Sequence, residues 1–194
     1  SSVSSVLWDR LCFELFPTST YHHNSGGDPE AIPDLSYDQL MAFYKGHYHP
    51  SNAILLTFGN LPVSQHHDVF EREALGRFEK SNEQIEVGLE VPFSEPRRAA
   101  HCYALEDTDT ADKTHLIMGW KLGESSDLDT LLEAQLLSSV LMENSASPLM
   151  QWLETNDLGA APSPLCGLED SMREMVLCCG IEGSNEEHAN AFET

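Results

Sequence analysis

The sequence predicts an α+β fold, with helices packed on one face of an antiparallel or mixed sheet. Three observations lead there. Apolar residues recur at helical spacing in several separate stretches. Short aliphatic runs bounded by turn residues lie among them. Two such runs follow one another before helices intervene, so the order is not a simple strand–helix alternation. A Pro-containing acidic stretch, 81–98, reads as a linker between two halves, 1–80 and 99–194.

The elements follow in order. Residues 4–16 predict a helix with Val6, Leu7, Leu11 and Leu15 on one side and Cys12 beside them, stopped by Pro17. Residues 17–35 hold Gly26, Gly27, Pro29 and Pro33 and read as a long turn-rich loop. Ser36 predicts an N-cap, with Gln39 three positions on completing a capping box. That helix extends to about Lys45, with Leu40, Phe43 and Tyr44 as its apolar stripe. The run ILLTF within Ala53–Phe58, closed by Gly59-Asn60, reads as a buried strand. Val63–Lys80 reads as an amphipathic helix with Val69, Phe70, Ala74 and Phe78 inward.

The pattern restarts after the linker. Arg98–Leu105 and Thr114–Leu122 read as two strands joined by the acidic turn EDTDTAD. In 127–143, Leu128, Leu131, Leu132, Leu136 and Val140 fall at helical spacing. Ser147-Pro148 opens a shorter helix with Leu149, Trp152 and Leu153. Residues 159–167 read as a loop, Met175–Ile181 as a strand, and Ser184 as the cap of a last helix. Cys178 and Cys179 are neighbours on that strand, so their side chains should point to opposite faces.

Composition excludes several functions. Of 194 residues 41% are hydrophobic, enough for a core, yet no run is long and apolar enough to span a bilayer. SSVSSVLWDRL has no basic region leading into an apolar run, so it is not read as a signal peptide. The chain lacks a starting Met, which fits a processed or excised piece. Ten Lys and Arg face 32 Asp and Glu, a formal net charge of -22. Nucleic acid needs a basic footprint, and anionic membrane surfaces also disfavour this charge, so neither is an expected partner. The acidity reads as a solubilising surface. Cys12, Cys102, Cys166, Cys178 and Cys179 form no CxxC pair and read as free thiols of a reducing compartment, cytoplasm or organelle matrix.

Candidate chemistry is sparse. His22-His23, His47-x-His49 and His66-His67 are possible metal ligands, but none has the i,i+4 spacing that sets two imidazoles on one helix face. His47 and His49 lie where a helix ends and suit its dipole. No G-x-S-x-G elbow occurs. His101-Cys102 are adjacent on an expected strand and would face opposite ways. Gly26-Gly27-Asp28-Pro29 follows a loop and precedes another turn, so it reads as a tight turn rather than a phosphate cradle. The residues alone thus assign no catalytic, cofactor-binding or metal position in this chain.

One ordered set of motifs adds a further reading. Leu15-Phe16-Pro17, Thr20-Tyr21, Ser25-Gly26-Gly27-Asp28-Pro29, Ile32-Pro33-Asp34-Leu35, Gly46-His47, Tyr48-His49-Pro50-Ser51-Asn52-Ala53 and Gly59-Asn60 follow one another. Together they resemble the pitrilysin and insulysin superfamily of zinc peptidases, in its presequence-protease branch. Weaker marks follow in Gly119-Trp120-Lys121-Leu122-Gly123, Ser147-Pro148-Leu149 with Trp152-Leu153, and Gly180-Ile181-Glu182-Gly183. The resemblance implies that 1–80 is the C-terminal half of a first, catalytic domain. It implies that 99–194 is the N-terminal half of a second, non-catalytic one. It also implies a parent protein with an inverted zinc motif, H-x-x-E-H, and a second Glu ligand. In such a parent zinc polarises the scissile carbonyl of a peptide and activates a water, and the Glu takes its proton. No H-x-x-E-H occurs in this sequence. The resemblance places all ligands upstream of Ser1, and a substrate-binding Tyr and Arg in the parent's later half. The expectation is therefore a fragment of a zinc metalloendopeptidase that degrades peptides in a closed chamber, itself without zinc or activity. The alternatives are a non-catalytic scaffold relative of the same fold or an unrelated interaction module. A half-domain pair also leaves open edges, so strand 53–59 is expected to pair with a strand of the second half, within the chain, in a homodimer or by strand exchange.

Overall fold

The computed structural model describes residues 2–83, 85–105 and 109–194. Its elements are α1 (Val3–Leu15), α2 (Tyr37–His47), α3 (Val63–Glu73), β1 (Thr114–Glu124), α4 (Leu128–Met142), α5 (Pro148–Thr155), β2 (Ala161–Pro162), β3 (Gly167–Glu169), β4 (Glu174–Ser184) and α6 (Ala189–Glu193). The class is α+β with an antiparallel sheet, as expected. The chain divides into two compact units, Ser1–Ser25 with Gly88–Thr194, and Gly26–Val87.

In the first unit β4 is the central strand. It pairs antiparallel with β1 from Thr114↔Ser184 to Glu124↔Glu174, and with the short β2 and β3. Its sequence, EMVLCCGIEGS, is nearly continuously apolar in the middle, the mark of a strand covered on both faces. Val176 and Cys178 face one core with Cys12, Leu15 and Phe16 of α1 and its end. Cys179 and Ile181 face the other, with Leu153 of α5 and Phe192 of α6. The adjacent cysteines therefore do point to opposite faces. The helical layer of α5 and α6 is joined by α1 on the far side. Gly119 of β1 makes room for α1: a Cβ there would meet Leu15 Cδ1 at 3.1 Å and Leu11 Cδ1 at 3.2 Å.

Helix boundaries obey the capping chemistry. Ser36 and Gln39 exchange side-chain and backbone hydrogen bonds in a full capping box at the start of α2. Asp127 Oδ1 accepts from Asp129 N and Thr130 N at the start of α4. Pro148 stands in the first turn of α5.

Several expectations are corrected. Residues 53–58 form no strand and join no ladder; Ile54 is 95% and Phe58 100% exposed. An aliphatic run becomes a strand only when a partner edge satisfies its amides, and β4 already has its partners from β1, β2 and β3. Pairing of 53–59 with the second half of the same chain is thus overturned. The halves meet instead through α1, whose apolar side docks on β4. Residues 98–105 are irregular, and 106–108 of the expected acidic turn lie outside the described residues. Ser184 ends β4 rather than capping a helix, because its Oγ donates to Leu158 O at 2.5 Å. The 159–167 loop contributes β2 and the first residue of β3.

The second unit carries α2 and α3. None of its described residues is buried. Leu40, Phe43 and Tyr44 of α2 are exposed, as are Val69 and Phe78, which the amphipathic pattern set inward. α3 stops at Glu73 and a 3₁₀ turn follows over Leu75–Arg77.

All five cysteines are unpaired thiols, with Cys102 exposed. Burial pushes the Cys12, Cys178 and Cys179 thiols up to about 12, and raises Cys166 too. A protonated, enclosed thiol is a poor nucleophile. A disulfide-exchange reagent should therefore titrate only Cys102 quickly in the native chain, and the other four after denaturation. Fast native reaction at Cys178 or Cys179 would contradict the two-sided burial of β4.

Candidate functional site

The histidine pairs come first, since the sequence singled them out. His22 sets its Nδ1 3.1 Å from Phe13 O and its ring 4.0 Å from the Phe13 ring, so it occupies one of the open carbonyls at the end of α1. His23 meets His22 edge-on at 5.0 Å. His47 Nδ1 lies 3.0 Å from Phe43 O and its ring stacks on Phe43 at 3.8 Å. His49 Nδ1 accepts from Ser51 N at 3.1 Å. His66 stacks on Phe70 at 6.3 Å. Each of these rings has a partner within its own local segment. Among the described residues no group of three or more His, Cys, Asp or Glu could hold a metal ion.

The remaining candidates also have structural partners. His101 Nε2 lies 2.9 Å from Glu14 Oε1, while Cys102 is exposed beside it. Asp28 O accepts from Ala31 N and Ile32 N, and Asp28 Oδ1 from Glu30 N, with Gly27 at φ +83°. That is a turn that needs glycine at its left-handed position, and its Asp oxygens are aimed at the turn's own amides.

The most organised polar cluster was missed by the sequence reading. Glu90 lies in the stretch read as a linker, yet it is only 4% exposed. Its carboxylate accepts from Thr18 N at 2.9 Å, Thr18 Oγ1 at 2.7 Å, Ser19 N at 3.1 Å and its own neighbour Val91 N at 3.1 Å. Its amide donates to Glu174 Oε2, at the head of β4, at 2.7 Å. Burial by itself would raise the Glu90 carboxyl, but the donors from Thr18, Val91 and Ser19 outweigh it and hold the group below the usual carboxylate range. The signal in the sequence was one acid between two apolar residues, Leu89-Glu90-Val91.

The residues after Glu90 continue as a strap over the first unit. Phe93 lies under Lys121 Nζ at 4.7 Å and under the Arg97 guanidinium at 4.9 Å. Lys121 Nζ is enclosed, 5.7 Å from the Phe16 ring, with no hydrogen-bond acceptor among the described residues. Arg97 Nη1 donates to Glu14 O at 3.2 Å, and Arg98 forms a two-point pair with Glu193 of α6. A cavity of about 400 Å³ lies between Pro17-Thr18 and residues 90–97. Every donor to the Glu90 carboxylate is a backbone amide or the Thr18 hydroxyl. Its chemistry is that of a fastener, which joins the end of α1 to the head of β4.

Residues 34–192 match the family model described as the Peptidase M16 inactive domain. The mitochondrial presequence protease of Danio rerio is 34% identical over 177 residues, 90% of this chain and 17% of that protein. That of Xenopus tropicalis is 33% identical over 184 residues, 94% of this chain and 18% of that protein. That of Aspergillus oryzae is 36% identical over 169 residues, 86% and 16%. The chain thus spans less than a fifth of the length of these relatives.

The Glu90 fastener generates a prediction. Glu90→Ala leaves the Thr18 and Ser19 amides without their acceptor inside the protein, which costs on the order of 3 kcal/mol. A carboxyl whose folded pKa is lowered contributes fully above the unfolded value and loses its contribution as pH falls through the folded one. The gap between wild type and variant in urea titrations should therefore be widest at neutral pH and close in acid. A gap that grows on acidification would refute the assignment.

Proposed function

Because the chain belongs to the M16 peptidase family, we propose that it is a non-catalytic segment of a longer zinc-dependent metalloendopeptidase that degrades peptides. The observation that carries this reading is the match of residues 34–192 to the inactive domain of the family. In the longer protein, residues 1–80 belong to the end of the catalytic domain and 99–194 to the start of the next, joined through 81–98. The segment contributes wall to a closed chamber, and peptides are the parent's substrates. The family match removes the alternative of an unrelated interaction module.

No zinc position is proposed within this chain: His22, His47 and His49 are engaged by local carbonyls, an amide and rings, and among the described residues no three-ligand group forms. No zinc step is assigned to this chain. An organelle matrix is the proposed compartment, supported by the mitochondrial relatives and by five free thiols. Among the described residues no helix is long and apolar enough to cross a membrane. The acidic charge supports neither nucleic acid nor an anionic membrane as partner.

Metal analysis and peptide cleavage test the reading. The 194-residue chain, purified without a histidine tag, should hold no stoichiometric zinc and cut quenched peptides no faster than buffer. The longer polypeptide should cut them in a chelator-sensitive way. One tightly held zinc per short chain, lost in His22→Ala or His23→Ala, would defeat the proposal, as would a longer polypeptide with no such activity.

A further inference from the structure

The helix α4 is apolar around most of its circumference. Its sequence is LDTLLEAQLLSSVLM. Ala134 and Met142 are buried and Leu131 half-buried, so that side packs on its own unit. The stripe expected from the sequence at Leu128, Leu132, Leu136 and Val140 lies on another side and is exposed, Leu128 by 76% and each of the others by more than half. Positions four apart form one ridge along a helix, the kind that packs into the groove of a second helix. A helix apolar nearly all round belongs in an interior, and an uncovered aliphatic ridge of this length is an association surface.

We infer that the ridge Leu128–Leu132–Leu136–Val140 is a docking face for another helix of the same longer polypeptide, one that presents its own aliphatic ridge with basic or uncharged flanks. This rests on the reading of the chain as part of a longer protein. Charge selects the occupant. Asp129, Glu133 and Glu143 lie along or just beyond α4, and 128–143 contains no Lys or Arg. Two copies of α4 paired about a two-fold axis would bring these acids together on chains that each carry a net charge of -22. A helix supplied by the same polypeptide avoids that repulsion and docks at high effective concentration, without the cost of bringing two molecules together. The relatives are more than five times as long as their match to this chain, so there is ample polypeptide to supply it.

The test compares the 194-residue chain with the longer polypeptide. Leu132→Cys and Leu136→Cys are introduced into both with Cys102→Ser, and maleimide labelling is timed. Labelling should be at least about 100-fold slower in the longer protein, as for a site reached only by local opening. Hydrogen exchange over 128–142 in the unaltered proteins gives the same comparison if a variant fails to fold, with stronger protection expected in the longer one. Equal labelling and equal exchange overturn the inference. So does a short chain that sediments as a dimer and dissociates in Leu132→Glu, since the occupant would then be a second copy. Peptidase activity is read separately: a protected ridge in a polypeptide with no chelator-sensitive cleavage sinks the enzymatic reading and leaves the docking face standing.

Discussion

The structure of the first unit depends on β4 being covered on both faces. A strand with apolar residues on alternate positions needs one layer of cover; EMVLCCGIEGS, apolar on consecutive positions, needs two. α1 supplies one layer through Leu11, Cys12, Leu15 and Phe16, and α5 with α6 supplies the other through Leu153 and Phe192. Burying side chains of this size contributes roughly 1.5–3 kcal/mol each, so neither layer is dispensable. Everything else in the unit keeps these layers in place: Gly119 allows α1 to approach, Glu90 fixes the backbone just beyond α1, and Ser184 ties the end of β4 to Leu158.

Three helix starts were legible because their chemistry is local. Ser36 with Gln39, Asp127, and Ser147-Pro148 act within four residues of themselves, and the chain obeys them. The strands were legible only in part. ILLTF and MVLCC look alike as apolar runs, but only the second finds ladder partners in this chain. Partnership is a non-local property that neither run encodes alone. The inward face of α1 was legible, with Leu11, Cys12 and Leu15 packed as read. The faces read as inward in α2 and α3 are largely exposed, because periodicity marks an apolar side and not what covers it, and in α4 apolar residues at several phases leave spacing unable to choose the inward side. Glu90 was hidden for a related reason: its donors at Thr18 and Ser19 stand 72 and 71 positions away, and no local pattern marks a carboxylate that will be enclosed.

For the site, the residues that attracted attention as chemistry turned out to be local fasteners. His22 and His47 each bring an imidazole nitrogen to a carbonyl near a helix end, where the unpaired C=O groups and the dipole favour a donor. The same residue type would serve a metal equally well; geometry decides, and here each ring is stacked on a phenylalanine of the adjacent turn or engaged in its own segment. In this member of the M16 peptidase family these imidazoles serve their own segments.

The partnership of α1 with β4 also sets an order of events during synthesis. α1 is complete at Leu15, and the strand it docks on begins at Glu174. At roughly 5–20 residues per second, the ribosome leaves the apolar side of α1 uncovered for on the order of ten to thirty seconds before β4 exists. During that interval Leu11, Leu15 and Phe16 are a short hydrophobic segment on a nascent chain, open to chaperones and to wrong partners. A helix made early in this segment is thus among its last elements to find a place.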